Sequence, residues 1–147
     1  MLIYDLNANP LNANEWAFPL TECFHITSFA LSIGTIALVD LRLLGLGMKH
    51  QTAGQLLKDT GIWTFAGLVI VILSGLMIFS SDPIRYTYNS GFQVKITVLL
   101  LAIIFNYTIH RKVALSNYSP LMGKLVGGIS LLMWMLVPFG GIWISFV

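Results

Sequence analysis

The chain has 147 residues, 56% of them hydrophobic and 10% charged, with a net charge of +2 and a mean hydropathy of +0.82. Soluble domains carry about 25% charged residues, so this composition excludes an ordinary water-soluble domain and indicates a membrane protein. The small, scattered basic excess excludes a nucleic-acid surface, and the single cysteine, Cys23, excludes an internal disulfide and a multi-cysteine metal site.

The opening stretch, MLIYDLNANPLNANEW, lacks the basic and apolar regions of a signal peptide. It reads as a polar extramembrane segment over 1–19, punctuated at Asn9-Pro10. Four apolar runs follow, and the expected helices are 20–46, 61–81, 91–112 and 121–147. Each supplies the roughly 20 residues that a helix needs to cross about 30 Å of hydrocarbon. Lipid offers the backbone no hydrogen-bond partner, so helices are the form these runs must take. They are too long and too continuously apolar for barrel strands.

The connections are short and rich in turn residues, as in DPIRYTYNSG at 82–91 and ALSNYSP at 114–120. Short connections make sequential helices antiparallel. The predicted fold is therefore all-α, a four-transmembrane-helix up-down-up-down bundle forming a single domain. Arg42, Lys49, Lys58, Arg111, Lys112 and Lys124 fall at one end, six of the eight Lys and Arg. Arg85 and Lys95 fall at the other, with Asp5, Glu15, Glu22 and Asp82. The positive-inside rule puts both termini on the non-cytoplasmic side of a bacterial inner membrane. Trp16, Trp63, Tyr86, Tyr88, Tyr118 and Trp143 near the segment ends suit interfacial belts.

Each helix carries a stripe of small and polar residues. In the first it comprises Glu22, His25, Ser28, Ser32, Thr35, Asp40 and Arg42. The second has Thr64, Gly67, Ser74 and Ser81, and the third Lys95, Ala102, Asn106 and His110. The fourth has Gly123, Gly127, Ser130, Trp134, Gly141 and Ser145. Such residues face protein in membranes, so the stripes point to a polar interior. Gly123-x-x-x-Gly127 signals a close helix contact, within the chain or with another subunit. Pro138, followed by Gly140 and Gly141, predicts a kink in the last helix. A faint repeat relates His25 to Lys95, Asp40 to His110 and Arg42 to Lys112, each at an offset of 70.

The ionisable groups form an outer cluster, Glu22, His25 and Lys95, and an inner one, Asp40, Arg42, His110 and the loop residue His50. Glu22-x-x-His25 suits one metal or, more simply, a hydrogen-bonded pair completed by Lys95. Only one such motif is present, which argues against a di-metal site. Haem b is a second candidate, held by His25 alone, by His25 with Met77, or by His110 with His50. His25 and His110 lie at opposite depths and cannot share one ring. A third candidate is a proton or ion path along Glu22, His25, the helix hydroxyls and Asp40. No nucleophile–base set, phosphate loop or metalloprotease motif supports an enzyme.

Glu22-x-x-His25, Asp40-Leu-Arg-Leu-Leu-Gly45, Ser74-Gly75, Phe92-x-x-Lys95 and Asn106-x-x-x-His110 span most of three helices. In these motifs the chain resembles a bacterial family of small, uncharacterised four-helix integral membrane proteins. That resemblance implies architecture and candidate positions rather than chemistry. The helix count and histidines also resemble, more loosely, the membrane domains of copper-resistance proteins and b-type cytochromes. The leading expectation is a membrane subunit or anchor in a redox setting, assembling with other membrane or periplasmic components or with itself through its Gly and Ser faces. A haem-b electron carrier using His25, and an ion or proton pathway, stand as alternatives.

Overall fold

Lipid-facing sequence becomes helix almost throughout. The computed structural model describes residues 8–147, and Asp5 lies outside them. In chain order the helices are α1 (Pro10–Ala13), α2 (Ala17–Leu43), α3 (Ala53–Ser81), α4 (Pro83–Tyr88) and α5 (Ser90–Phe105). A π-helical turn, Asn106–His110, leads into α6 (Arg111–Leu115), and α7 (Pro120–Trp143) follows. No strand occurs among the described residues. Four helical spans are long and apolar enough to cross a membrane: α2, α3, the run Ser90–Leu115, and α7.

The ends of these helices follow from their caps. In the second run, helix begins at Ala53, eight residues before the apolar stretch at Gly61. Thr52 and Gln55 form a reciprocal capping box there, which places Lys58 on the helix rather than in a loop. The first long helix stops at Leu43, three residues short of the expected end. Gly45, at φ +82°, closes it: Leu46 N–H donates to the Leu41 carbonyl at 2.8 Å and Gly45 N–H to that of Arg42 at 3.1 Å. A left-handed residue in that position is what the Schellman closure requires. The final helix continues through Pro138 and ends at Trp143 rather than at Val147.

Small residues set how closely the helices approach. A Cβ on Gly67 of α3 would collide with the Ser32 hydroxyl and lie 2.9 Å from the Ser28 carbonyl of α2. On Gly127 of α7 it would lie 2.9 Å from the Asp40 carbonyl and 3.0 Å from Leu43 Cβ. The Gly123-x-x-x-Gly127 face thus packs against α2 of the same chain. Gly140 likewise receives the Lys95 stem, 3.0 Å from the position of such a Cβ. The tightest pairings are α2 with α3, α5 with α7, and α2 with α7. Between α3 and the third span the backbones approach mainly at α6, and Phe79 of α3 stacks on Phe92 of α5 at the other end, which leaves a seam between the two.

The core combines Ile36, Leu68, Ala102 and Trp134 with a second cluster of Val39, Leu56 and Ala114. Outward-facing Leu, Ile, Val, Met and Phe remain exposed along every long helix, the surface that a hydrocarbon solvent requires. Polar anchors tie the ends. Asn9 Nδ2 donates to the Ser80 carbonyl (2.6 Å), Asn12 Nδ2 to that of Ser81 (2.9 Å), and Asn89 Nδ2 to those of Ile144 and Val147 (both 3.0 Å). Asn9 and Val147 therefore sit at the same end of the bundle, the end that carries His25.

Candidate functional site

Asp40 lies on the inner face of α2, one residue past Val39 and three before the helix end, and has no exposed surface. Its partners come from two other spans. His110 Nε2 lies 2.7 Å from Asp40 Oδ1, and Ser130 Oγ of α7 donates to Oδ2 at 2.9 Å. All three side chains are fully buried. A buried carboxylate is tolerated only with such partners, because the unpaired charge would face a large desolvation penalty. One of the three pairs at the offset of 70, Asp40 and His110, thus meets in space. Asp40 and His110 are equally far along spans that share a direction, so they reach the same depth.

The π-helical turn helps to present His110. In an α-helix each step of four residues advances the face by about 40°, so Ala102, Asn106 and His110 would drift around the helix. The wider i→i+5 turn at 106–110 offsets that drift, and all three positions are buried. Asn106 Oδ1 and His110 Nδ1 nevertheless have no hydrogen-bond partner, and neither has Trp134 Nε1. Buried polar atoms are almost always paired, so three orphans around one cluster mark an unusual place.

A cleft of about 460 Å³ lies beside them, in the seam between α3 and the third span. Asn106 and His110 form part of its wall, with Thr35 and Thr64 close by and Lys58 and Arg111 also lining it. Thr35 and Thr64 hydroxyls are 2.8 Å apart, and Ser32 Oγ reaches both the Ser28 and Thr64 carbonyls. Hydroxyls therefore continue along the α2–α3 contact from the cleft toward the other end.

At that other end stands His25. Its Nδ1 lies 2.9 Å from Ser74 Oγ, and Ser74 gives its own proton to the Ile70 carbonyl at 2.6 Å. With its proton given to that carbonyl, Ser74 accepts from His25 Nδ1–H, the tautomer that keeps a lone pair on Nε2. Gly75 allows the ring its place, since a Cβ there would lie 3.2 Å from His25 Cε1. Lys95 acts on His25 through space, and its ammonium end runs along Gly141.

Several sequence expectations take a different form. His25 bonds to Ser74 rather than to Glu22, and Glu22 is exposed. Arg42 does not join Asp40; its Nε donates to the Gln51 carbonyl at 2.5 Å, which braces the turn after α2. His50 is exposed in that turn, while His110 is wholly buried and bonded to Asp40. Met77 is half-exposed on α3, three residues beyond Ser74. Cys23 is exposed on α2. Ser130 appeared in sequence only as one member of a small-residue stripe, with nothing to mark it as the second partner of Asp40.

Residues 17–147 match the model of a family of unknown function, DUF6644, and the chain belongs to that family. No curated protein and no solved structure matches the chain.

Proposed function

For this member of a family of unknown function, we propose a proton-handling role in the bacterial inner membrane, as a multi-pass component of a larger membrane assembly. The observation that carries it is the fully buried Asp40, bonded to His110 and Ser130 inside a membrane-spanning helix. Ionisable residues are rare within spans, and a carboxylate–imidazole pair can take up and release a proton with little rearrangement. From the cleft, Thr64, Thr35, Ser32 and Ser28 form a file toward His25 and Ser74. Steps of three or four residues are about 5 Å along an α-helix, within reach of hydroxyl-to-hydroxyl transfer through single waters. The tight α2–α3 contact at Gly67 leaves no bore for a hydrated ion, which favours a proton as the species moved.

The basic residues support an up-down-up-down orientation with both termini outside the cytoplasm. Arg42, Lys49, Lys58, Arg111, Lys112 and Lys124 belong to the Asp40 end, so the cleft faces the cytoplasmic side. Reconstitution into liposomes loaded with a pH-sensitive dye tests the reading under an imposed potassium diffusion potential. Proton entry above protein-free vesicles is expected for the wild type. At least a tenfold loss is expected for Asp40→Asn. Equal rates for the two, or no flux in either, would refute the role.

A second reading has one observation in its favour. His25 donates through Nδ1 and keeps Nε2 free, the arrangement in which a serine orients an imidazole for iron. Haem b bound at His25, with Met77 nearby on α3, would make the chain an electron carrier. Purified protein would then show a Soret band that disappears in His25→Ala.

A further inference from the structure

We propose that the cleft between α3 and the third span binds a neutral, lipid-soluble phenolic compound, a phenol or hydroquinone, whose hydroxyl bridges His110 Nδ1 and Asn106 Oδ1. The proposal names a ligand for the site that the proton reading uses, and it concerns binding alone.

The two orphaned atoms define the chemistry. A net charge in a fully buried site is disfavoured, and we take the Asp40–His110 pair in its neutral form, with two protons between its members. One of those protons lies between Asp40 and Nε2, which leaves the other on Nδ1 as a donor without an acceptor. Asn106 Oδ1, four residues earlier on the same turn, is an acceptor without a donor. A hydroxyl is the smallest group that accepts from the first and donates to the second. A quinone carbonyl satisfies only the imidazole, and an ether likewise lacks the proton for Asn106. A carboxylate could be drawn by Lys58 and Arg111, but it brings a negative charge toward Asp40 and has no proton to give.

Size and lining define the rest. About 460 Å³ far exceeds the roughly 30 Å³ of one water and falls within the usual range for small-molecule sites. The walls away from the polar floor are apolar, with Ile36, Leu57 and Ile62, and the aromatic faces of Phe65 and Tyr107 suit a flat ring. The two orphaned atoms lie just behind the wall, out of reach of a water-sized sphere. Binding therefore includes an outward turn of the Asn106 amide.

Gly61 supplies a test that leaves the fold intact. It lines the cleft, and a Cβ added there meets nothing within 4 Å. Gly61→Phe would fill the cavity and improve helix propensity, and circular dichroism would confirm retained helicity. Wild-type protein in nanodiscs should bind a short-chain alkyl hydroquinone and the matching alkylphenol saturably, by isothermal titration. Tighter binding of the first would assign the site to hydroquinones, and equal binding to phenols in general. The dimethyl ether and the oxidised quinone should bind at least tenfold more weakly. Gly61→Phe should abolish binding, and Asn106→Leu should weaken it about tenfold. Equal binding of the ether, tighter binding of a fatty acid, or undiminished binding by Gly61→Phe would overturn the proposal. Binding without proton flux would leave it standing and refute only the relay.

Discussion

Replacing the Asp40–His110 pair by leucine, singly and together, separates its structural from its functional weight. His110→Leu leaves Asp40 fully buried with Ser130 as its remaining partner. Removing one member of a buried ion pair typically destabilises by about 3–5 kcal/mol, because the other is left uncompensated. Asp40→Leu is expected to fall in the same range or somewhat below it. It strands an imidazole whose Nδ1 already has no partner, and it frees the Ser130 hydroxyl to bond back along α7. In the double variant neither group remains. Apolar replacement of a whole buried pair is often neutral or stabilising by about 1–4 kcal/mol, so the double variant should lie near the wild type. With both singles costly and the double near zero, the cycle predicts a coupling energy of about 5 kcal/mol or more. Reversible unfolding in mixed detergent and SDS micelles, followed by circular dichroism, measures it. Single substitutions that each cost under about 1 kcal/mol would refute the buried pair, as hydrogen bonds between membrane helices average only about 0.6 kcal/mol. An additive double variant would refute the pairing itself. A stable double variant without proton flux would show that the pair serves function rather than folding.

Four further outcomes follow from local geometry and burial. Gly127→Val would push branched carbons into the Asp40 carbonyl and Leu43, and should destabilise by about 1–3 kcal/mol in the same assay. Gly34→Ala, where an added carbon meets nothing within 4 Å, should be neutral or stabilising by up to about 1 kcal/mol. Gly45→Ala forces a side chain into the left-handed closure of α2, and a loss of about 1–2 kcal/mol is expected. Tyr86 on α4 is held above its ordinary pKa, chiefly by burial beside Phe79 and Phe92. The unfolded phenol, titrating near pH 10, loses its proton first. The unfolded state then binds fewer protons, so stability should fall as pH rises past 10, a slope that Tyr86→Phe should remove.

Much of the molecule was legible because a bilayer imposes simple rules. Four long apolar runs had to be helices, and Ser32, Gly67, Asn106 and Ser130 had to face protein. The boundaries were less legible because hydropathy marks where lipid begins, not where helix begins. Lys58 and Asp59 make the first turns of α3 look like a loop, although Thr52-x-x-Gln55 is a readable capping signal. The DLRLLG run stood out before its parts could be told apart. Asp40 enters the core, Arg42 braces the following turn through Gln51, and Gly45 ends the helix. The pairing of His25 with Ser74 could not be foreseen, because Glu22 three residues earlier was the obvious partner on the same helix. Water competes for an exposed carboxylate near a boundary, whereas a serine across a close helix contact is held in place.

The offset of 70 ties the two clusters to one geometric cause. His25 and Asp40 are 15 residues apart on α2, and Lys95 and His110 are 15 apart on the third span. Equal rises of about 22 Å put Lys95 at the depth of His25 and His110 at that of Asp40, provided the two helices are regular. The third span is not regular, since the π-helical turn falls within its last five residues before Arg111. Such a turn alters which way a side chain points far more than how deep it lies. The depth match therefore survives, while the turn keeps His110 on the buried face of Ala102 and Asn106, where it meets Asp40. An α-helical turn there would restore ordinary backbone bonding and carry the imidazole away from the carboxylate. The irregular backbone and the buried acid–base pair are thus one feature, and a substitution that regularises the turn should break the pair without touching either of its members.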